Sequence, residues 1–544
     1  MSVASAEPTR ELPAPRRYFP GKITCAIVIV AVALLLAVRG LDFVGDIAVV
    51  NILTLIFGFF AFMAIFTWFT AVSSYPKALR ILTVVAFVGG VTLFFAFYRI
   101  EGVRGDLIPK FVSRFAPLKD TTLEKLEVQA TEQARNPLLE TTPEDFPQFL
   151  GPQRNACLPG PLLARDWQAD PPKLVWKRPI GAGWSGFSVV NNMAITLEQR
   201  GDEELVTCYE VATGKPIWSH AEQGRHSTVL GGIGPRSTPT IHQGRVYTVG
   251  AAGVLLCLDG ATGKVLWRVD LLKQFGTDLA TDLAEIAWGR AASPLIVDDL
   301  VVVPAGGPPG KFTSLAAFKQ ETGEIVWRGG DRQISYASPA LATVVGVRQI
   351  LSVNEDTVTG HDPTTGAELW FAPWPGDSGG NASTSQPQVI GDNQVLVTKG
   401  YGTGAKLLQL SQKEGKLAAE TVWELSQALK TKFTNGAIVD GHIYALSDGV
   451  LECVEVQTGE AKWKGKRRRA GDYGQGQLLA VGDLLLIQCE DGDVALVAAS
   501  PESLQELGRF PALEGQTWNT LCLFGKYLLV RNGEEAACYE LPLR

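Results

Sequence analysis

Apolar positions are distributed unevenly along this chain. Three almost unbroken apolar stretches, residues 23–38, 47–72 and 81–98, crowd its first fifth, and short runs of alternating character follow. A helix that crosses a bilayer needs roughly 20 apolar residues. The first stretch is shorter, but Lys22 and Arg39 stand at its ends, where long cationic side chains reach the headgroups. The pattern predicts three transmembrane helices across residues 23–99, after an N-terminal tail of residues 1–22. A cleaved signal peptide is the alternative for the first, but the flanks Arg39 and Asp42 do not form a small-residue cleavage site. Lys and Arg resist translocation. Arg10, Arg16, Arg17 and Lys22 precede the first stretch, whereas the next loop sets Arg39 beside Asp42 and Asp46, and the second loop carries Lys77 and Arg80. The N-terminus is therefore expected in the cytoplasm, and everything after Arg99 on the far side, which in a bacterium is the periplasm. Asn51, the notable polar residue within a span, is expected near a helix end or bonded to another helix.

Beyond a linker of residues 100–145, which has room for one amphipathic helix near Leu118, Leu123 and Leu126, the sequence repeats itself. The string T-G-x-x-x-W ends at Trp218, Trp267, Trp327, Trp370 and Trp463, and a degenerate copy ends at Trp423. Successive tryptophans are 49, 60, 43, 53 and 40 residues apart, the length of a four-stranded blade with variable loops. In the clearest unit, residues 237–267, turns at Gln243-Gly244, at residues 251–253 and at residues 259–263 separate four short runs rich in β-branched and aromatic residues. The tryptophan falls on the outermost strand, where its ring can pack between neighbouring blades and its N–H can bond across. Six such units start at Ser188, Ser237, Ala292, Ala337, Ser385 and Thr434, and a seventh, residues 476–510, ends in Phe510 in place of tryptophan. Residues 518–544 supply only three strands, while the run KLVWKRP at residues 173–179, with Trp176, is an outer strand without a blade before it. Pairing the two completes an eighth blade and removes two open sheet edges. The chain thus reads as an all-β eight-bladed propeller over residues 146–544, preceded by three transmembrane α-helices.

Composition removes several functions. A formal net charge of −7 with no basic face gives nucleic acid no electrostatic foothold. Among the cysteines, Cys208, Cys257, Cys453 and Cys538 share one repeat position that Ala317 or Gly360 fills elsewhere, so the site asks for a small buried side chain. No C-x-x-C, haem-attachment or adjacent-cysteine motif occurs, and His220, His226, His242, His361 and His442 lie singly in different repeats, without metal-ligand spacing. His226, in a long loop, is the one histidine worth testing.

The unit formed by Cys257, Asp259, Thr262, Gly263 and Trp267 resembles the tryptophan-docking repeat of quinoprotein dehydrogenases and PQQ-like propellers, a fold shared by the BamB-type assembly lipoprotein. The strings FPQFLGP at residues 146–152, WGRAASP at 288–294 and YASP at 336–339, with the C-terminal run from Trp518, are similar to those of bacterial PQQ-binding-like propeller proteins. The resemblance implies two kinds of function. In quinoproteins, PQQ with calcium sits over the channel, in many cases on a disulfide between adjacent cysteines. That cysteine pair is missing from this chain, as is an insertion long enough for a substrate cap. The BamB-type lipoprotein instead takes part in outer-membrane assembly, and most of the bacterial PQQ-binding-like propeller proteins have no assigned activity.

Propeller ligands gather where the innermost strands enter the channel. The residues just before those strands are Trp184, Arg236, Trp288, Arg290, Tyr336, Lys432, Asn435, Tyr473, Gln475 and Trp518, a set that suits an anionic planar ligand or a peptide anchor. The same residues can instead plug the channel and bond exposed backbone. The docking tryptophans Trp176, Trp218, Trp267, Trp327, Trp370, Trp423 and Trp463 are expected to be structural. Six cations within residues 462–469 suit a solvated rim, anionic headgroups or an acidic partner. The leading expectation is a protein-interaction or ligand-binding module of the cell envelope, anchored in the inner-membrane bilayer beside a protein partner. A PQQ-dependent dehydrogenase and an envelope sensor are the alternatives.

Overall fold

The computed structural model describes residues 17–40, 46–124, 126 and 136–544. The N-terminal tail before residue 17, the first loop with Asp42, and most of the helix expected after Leu118 lie outside these residues.

The chain divides into two units, Met1–Ile100 with Phe111–Ala116, and Glu101–Lys110 with Pro117–Arg544. The first holds three long apolar helices, α1 (Lys22–Gly40), α2 (Ile47–Thr67, continued by a π turn to Val72) and α3 (Lys77–Phe97). Each is long and apolar enough to cross a membrane. Asn51 is buried and accepts from Arg39 of α1, so the polar residue inside α2 joins two helices. Arg80 closes the C-terminal end of α2 by donating to the carbonyls of Thr70, Ala71 and Ser73, which have no partner inside the helix.

The second unit is an eight-bladed propeller. Blades one to seven occupy residues 188–223, 240–270, 295–329, 340–373, 388–425, 437–464 and 477–511, each an antiparallel meander. Blade eight joins Cys522–Phe524, Tyr527–Arg531 and Glu535–Glu540 to Lys173–Pro179, with Cys538 opposite Trp176. The ring therefore closes by one strand from its beginning and three from its end. In every blade the third and fourth strands keep one register, and a bulge follows the same position. Cys208, Cys257, Ala317, Gly360, Cys453 and Cys538 each face a tryptophan there, but in blade five Leu407 faces Trp423, so the expectation of a small residue fails in that blade.

Trp176, Trp218, Trp267, Trp327, Trp423 and Trp463 donate their indole N–H to a backbone carbonyl of the following blade, at 2.6–3.1 Å. For the first five of these the turn glycine of that blade lies against the ring face; a Cβ on Gly263 would sit 2.4 Å from the Trp218 ring, and the φ of +69° asks for glycine as well. Trp370 differs. The hairpin of blade five runs on through Gly404–Lys413 and Lys416–Leu425 without the T-G turn, and Trp370 turns its N–H to Gln349 of its own blade. In blade seven the register puts Gly508, two residues before the expected Phe510, at the tryptophan position. Trp167, from the segment leading into the ring, packs over Gly508 and edge-on to Phe510, replacing the missing indole.

The linker departs from expectation. Strands Tyr98–Val103 and Pro109–Ser113 follow α3, and the turn between them, within Glu101–Lys110, belongs to the propeller unit. Near Leu118 the described residues form only a 3-10 turn, Lys119–Thr121.

Candidate functional site

Two segments of the chain occupy the channel at different levels. The first is residues 144–158, which include the FPQFLGP string. Phe146 exchanges both backbone bonds with Val189 of blade one, Pro147 O accepts from Ile241 of blade two, and Arg154 donates to Pro294 O and Pro339 O beside blades three and four. Gln386, just ahead of blade five, donates to Arg154 O, Cys157 Sγ to Ile438 O of blade six, and Cys157–Leu158 pairs in parallel with the innermost strand of blade seven. Gly525 of blade eight donates to Glu144 O. A single stretch thus touches all eight blades and closes the channel at this level.

The second level is the mouth, where the chain enters the innermost strands. Trp184, Trp518 and Phe433 form a row of tilted rings, with ring centroids 4.8 Å apart for each of the pairs Trp184–Trp518 and Phe433–Trp518. Trp288 stacks on Tyr336 at 4.9 Å and lies 6.1 Å from Tyr401, over which Lys432 Nζ stands at 5.7 Å. Between these aromatic arcs runs a polar network. Glu490 Oε1 accepts from Trp518 Nε1 at 3.1 Å and Oε2 from Gln475 N at 3.0 Å. Asp448 accepts from Gln475 Nε2 at 2.9 Å, pairs with Lys432 at 3.1 Å and meets Arg467 of the basic run at 3.2 Å. In the same run Lys462 pairs with Glu455 and Glu460, and Lys464 with Glu452.

Into this network reaches the turn between the two linker strands, closed by Arg104 N donating to Ile108 O. Gly105 is buried and donates to Glu490 Oε1 at 2.7 Å, while its carbonyl accepts from Lys432 Nζ at 3.4 Å. Beside the turn lies a cavity of about 320 Å³, lined among others by Trp184, Trp518, Val229, Ile233, Lys110 and Glu534.

Of the ten residues expected at the channel entry, Trp184, Trp288, Tyr336, Lys432, Gln475 and Trp518 come together at this mouth. Arg236 joins them but spends its guanidinium on Gly231 O and Gly234 O, and burial pulls its pKa down to about 10. Arg290 is buried on Asp282 at 2.8 Å and on the carbonyls of Pro304 and Ala305. Asn435 accepts from Gln386 N, a join between blades. Tyr473 points the other way, its hydroxyl on Glu506 of the outermost strand of blade seven; Gly474, at a φ of +64°, breaks the extended course between it and Gln475. His226 is buried against Gly289, and burial lowers its pKa to about 4, leaving a neutral ring that packs the rim. Burial also raises Glu204, which accepts from Ala251 N, to about 7. The sequence reading missed Glu490, Asp448 and Gly105.

These residues do not fit calcium-bound PQQ. Glu490 and Asp448 are already engaged by amide, indole, lysine and arginine donors from their own chain, and Gly105 packs closely against Gln475 among them. Among the described residues, no three His, Cys, Asp or Glu side chains gather as a metal site would require.

Blade geometry, docking tryptophans and ring closure define the class, an eight-bladed propeller built from PQQ-type repeats. The family model described as outer membrane protein assembly factor BamB matches residues 202–465 and 354–503, which together span more than half of the chain, and the protein belongs to this family. It is 25% identical to outer membrane protein assembly factor BamB of Shewanella oneidensis over 300 residues, 50% of this chain and 66% of that protein. It is 23% identical to quinoprotein alcohol dehydrogenase PedH of Pseudomonas putida over 179 residues, 26% of this chain and 29% of that one. The match therefore spans less than two thirds of either relative. The quinohemoprotein alcohol dehydrogenase of Comamonas testosteroni has the same fold, with a TM-score of 0.54 at 13% identity over 74% of this chain and 81% of that one.

Proposed function

We propose that this protein is a membrane-anchored propeller that acts as a protein-interaction module of the bacterial cell envelope. In this reading α1–α3 span the inner membrane, the N-terminus is cytoplasmic and the propeller periplasmic, in keeping with the distribution of Lys and Arg. The observation that carries it is the occupied channel: residues 144–158 bond to all eight blades at one level and the turn at Gly105 is seated in the mouth on Glu490, so the outer surfaces and loops are what the propeller offers. One such loop is a small ribbon, Ser227–Thr228 with Gly232–Ile233, whose tip exposes Val229 and Leu230 by 54% and 50%. A paired apolar tip on a polar rim is the kind of anchor a protein partner buries. The BamB relative, an assembly factor by name, supports the same reading.

A photo-cross-linking residue at Leu230 tests it in cells. One discrete envelope protein is expected on Leu230, and none on a control at Glu414, exposed at the hairpin tip of blade five. Equal capture from both positions, or from neither, would overturn the reading. The quinoprotein relatives favour a PQQ-dependent dehydrogenase instead, which the donor arrangement at the mouth opposes.

A further inference from the structure

The turn at residues 104–107 sits in the mouth as a bound ligand would. Its main chain is read by side chains from separate blades. Glu490, in blade seven, takes the N–H of Gly105; Lys432, ahead of blade six, donates to its carbonyl; and Gln516, ahead of blade eight, donates to Val103 O at 3.0 Å. The slot also selects for size. A Cβ on residue 105 would fall 2.2 Å from Gln475 Cγ and 2.6 Å from Gln475 Cβ. Gln475 has little freedom to retreat, since its N–H is tied to Glu490 and its amide to Asp448. Glycine is required here for room, not for an unusual φ.

We propose that the mouth is a receptor for a glycine-centred peptide turn, filled in cis by residues 104–107 and opened to a partner's turn of the same chemistry when its own leaves. The proposal rests on the protein-interaction reading and names the ligand class for it. Any turn that offers an N–H to Glu490, a carbonyl to Lys432 and no side chain at its centre meets the same contacts. The tethered turn competes at an effective concentration of order millimolar, so the intact mouth excludes free peptide at micromolar concentration.

The test uses the full chain in detergent and a fluorescein-labelled peptide of residues 101–110, EGVRGDLIPK, followed by anisotropy. Gly105→Val unseats the cis turn and is expected to bind the peptide at least about tenfold more tightly than the unaltered chain does. The same peptide with valine in place of glycine should bind neither, and adding Glu490→Ala should abolish the gain. Should Gly105→Val melt early, a chain with alanine at residues 104–107 must show the same gain. Equal affinity of the unaltered and altered chains, or no binding by an altered chain of normal melting temperature, overturns the receptor. That failure would leave the cross-link from Leu230 untouched, so the wider reading is judged separately.

Discussion

Removing the Trp267 indole should loosen the join between blades two and three by an amount that follows from its surroundings. The ring is 8% exposed, lies against Gly323 and donates to Gln320 O at 2.8 Å. Truncating a buried tryptophan to alanine costs about 3–5 kcal/mol in lost contacts and residual cavity. Gln320 O keeps Arg245 as a donor at 2.7 Å, so the lost N–H adds about 1 kcal/mol and not the larger penalty of a bare carbonyl. Trp267→Ala is therefore expected to cost about 4–6 kcal/mol. Trp267→Phe keeps a ring against Gly323 and should cost about 1–3 kcal/mol. Leu266→Ala, on the same strand but 49% exposed, is the control and should stay under about 0.5 kcal/mol. Equilibrium urea unfolding of the full chain, followed by far-ultraviolet circular dichroism, reads these as midpoint shifts at constant slope. If Trp267→Ala fell within about 1 kcal/mol of the control, the indole would not be a clamp between blades.

Three further outcomes follow from the structure. Burial raises Glu204 to about 7, so the folded state holds its proton more tightly than the unfolded chain, and stability falls as pH rises from the ordinary carboxylate range through about 7. Glu204→Gln should flatten that part of the melting-temperature profile, and an unchanged profile would contradict the assignment. Lys177 and Ala537 are register partners across the closing strand pair, so Lys177→Cys with Ala537→Cys should form a disulfide that stabilises the ring by up to about 5 kcal/mol and loses the gain in reductant. A pair that stays reduced in oxidant would count against blade eight as described. Ser503→Cys, exposed in the propeller, should react with a membrane-impermeant maleimide in spheroplasts of a Cys25→Ser background, whereas labelling only after lysis would invert the orientation.

The fold was legible because most blades restate the same local chemistry. The T-G turn and tryptophan fix the outer hairpin, and the unpaired strand at Trp176 has one place to go, beside Cys538. Blade seven was read less well, since its indole comes from Trp167, outside the repeat, and Gly508 gives no sign of the position it fills. The mouth was half legible. Position before a strand locates a residue along the channel but not the side it faces, which is why Trp184 and Trp518 met while Tyr473 turned outward. Gly105, Glu490 and residues 144–158 act across long sequence separations through main-chain bonds, which leave no periodic trace.

The most direct measurement of the central claim, that the chain's own segments fill the channel and the propeller works through its surfaces, is an equilibrium titration of the purified full chain with PQQ and calcium, read by tryptophan quenching and quinone absorbance. With Trp184 and Trp518 beside the filled mouth, any seated quinone would quench them strongly. No saturable change at micromolar PQQ, and no dye-linked alcohol oxidation, is predicted. Stoichiometric quinone absorbance accompanied by substrate-dependent dye reduction would contradict the account.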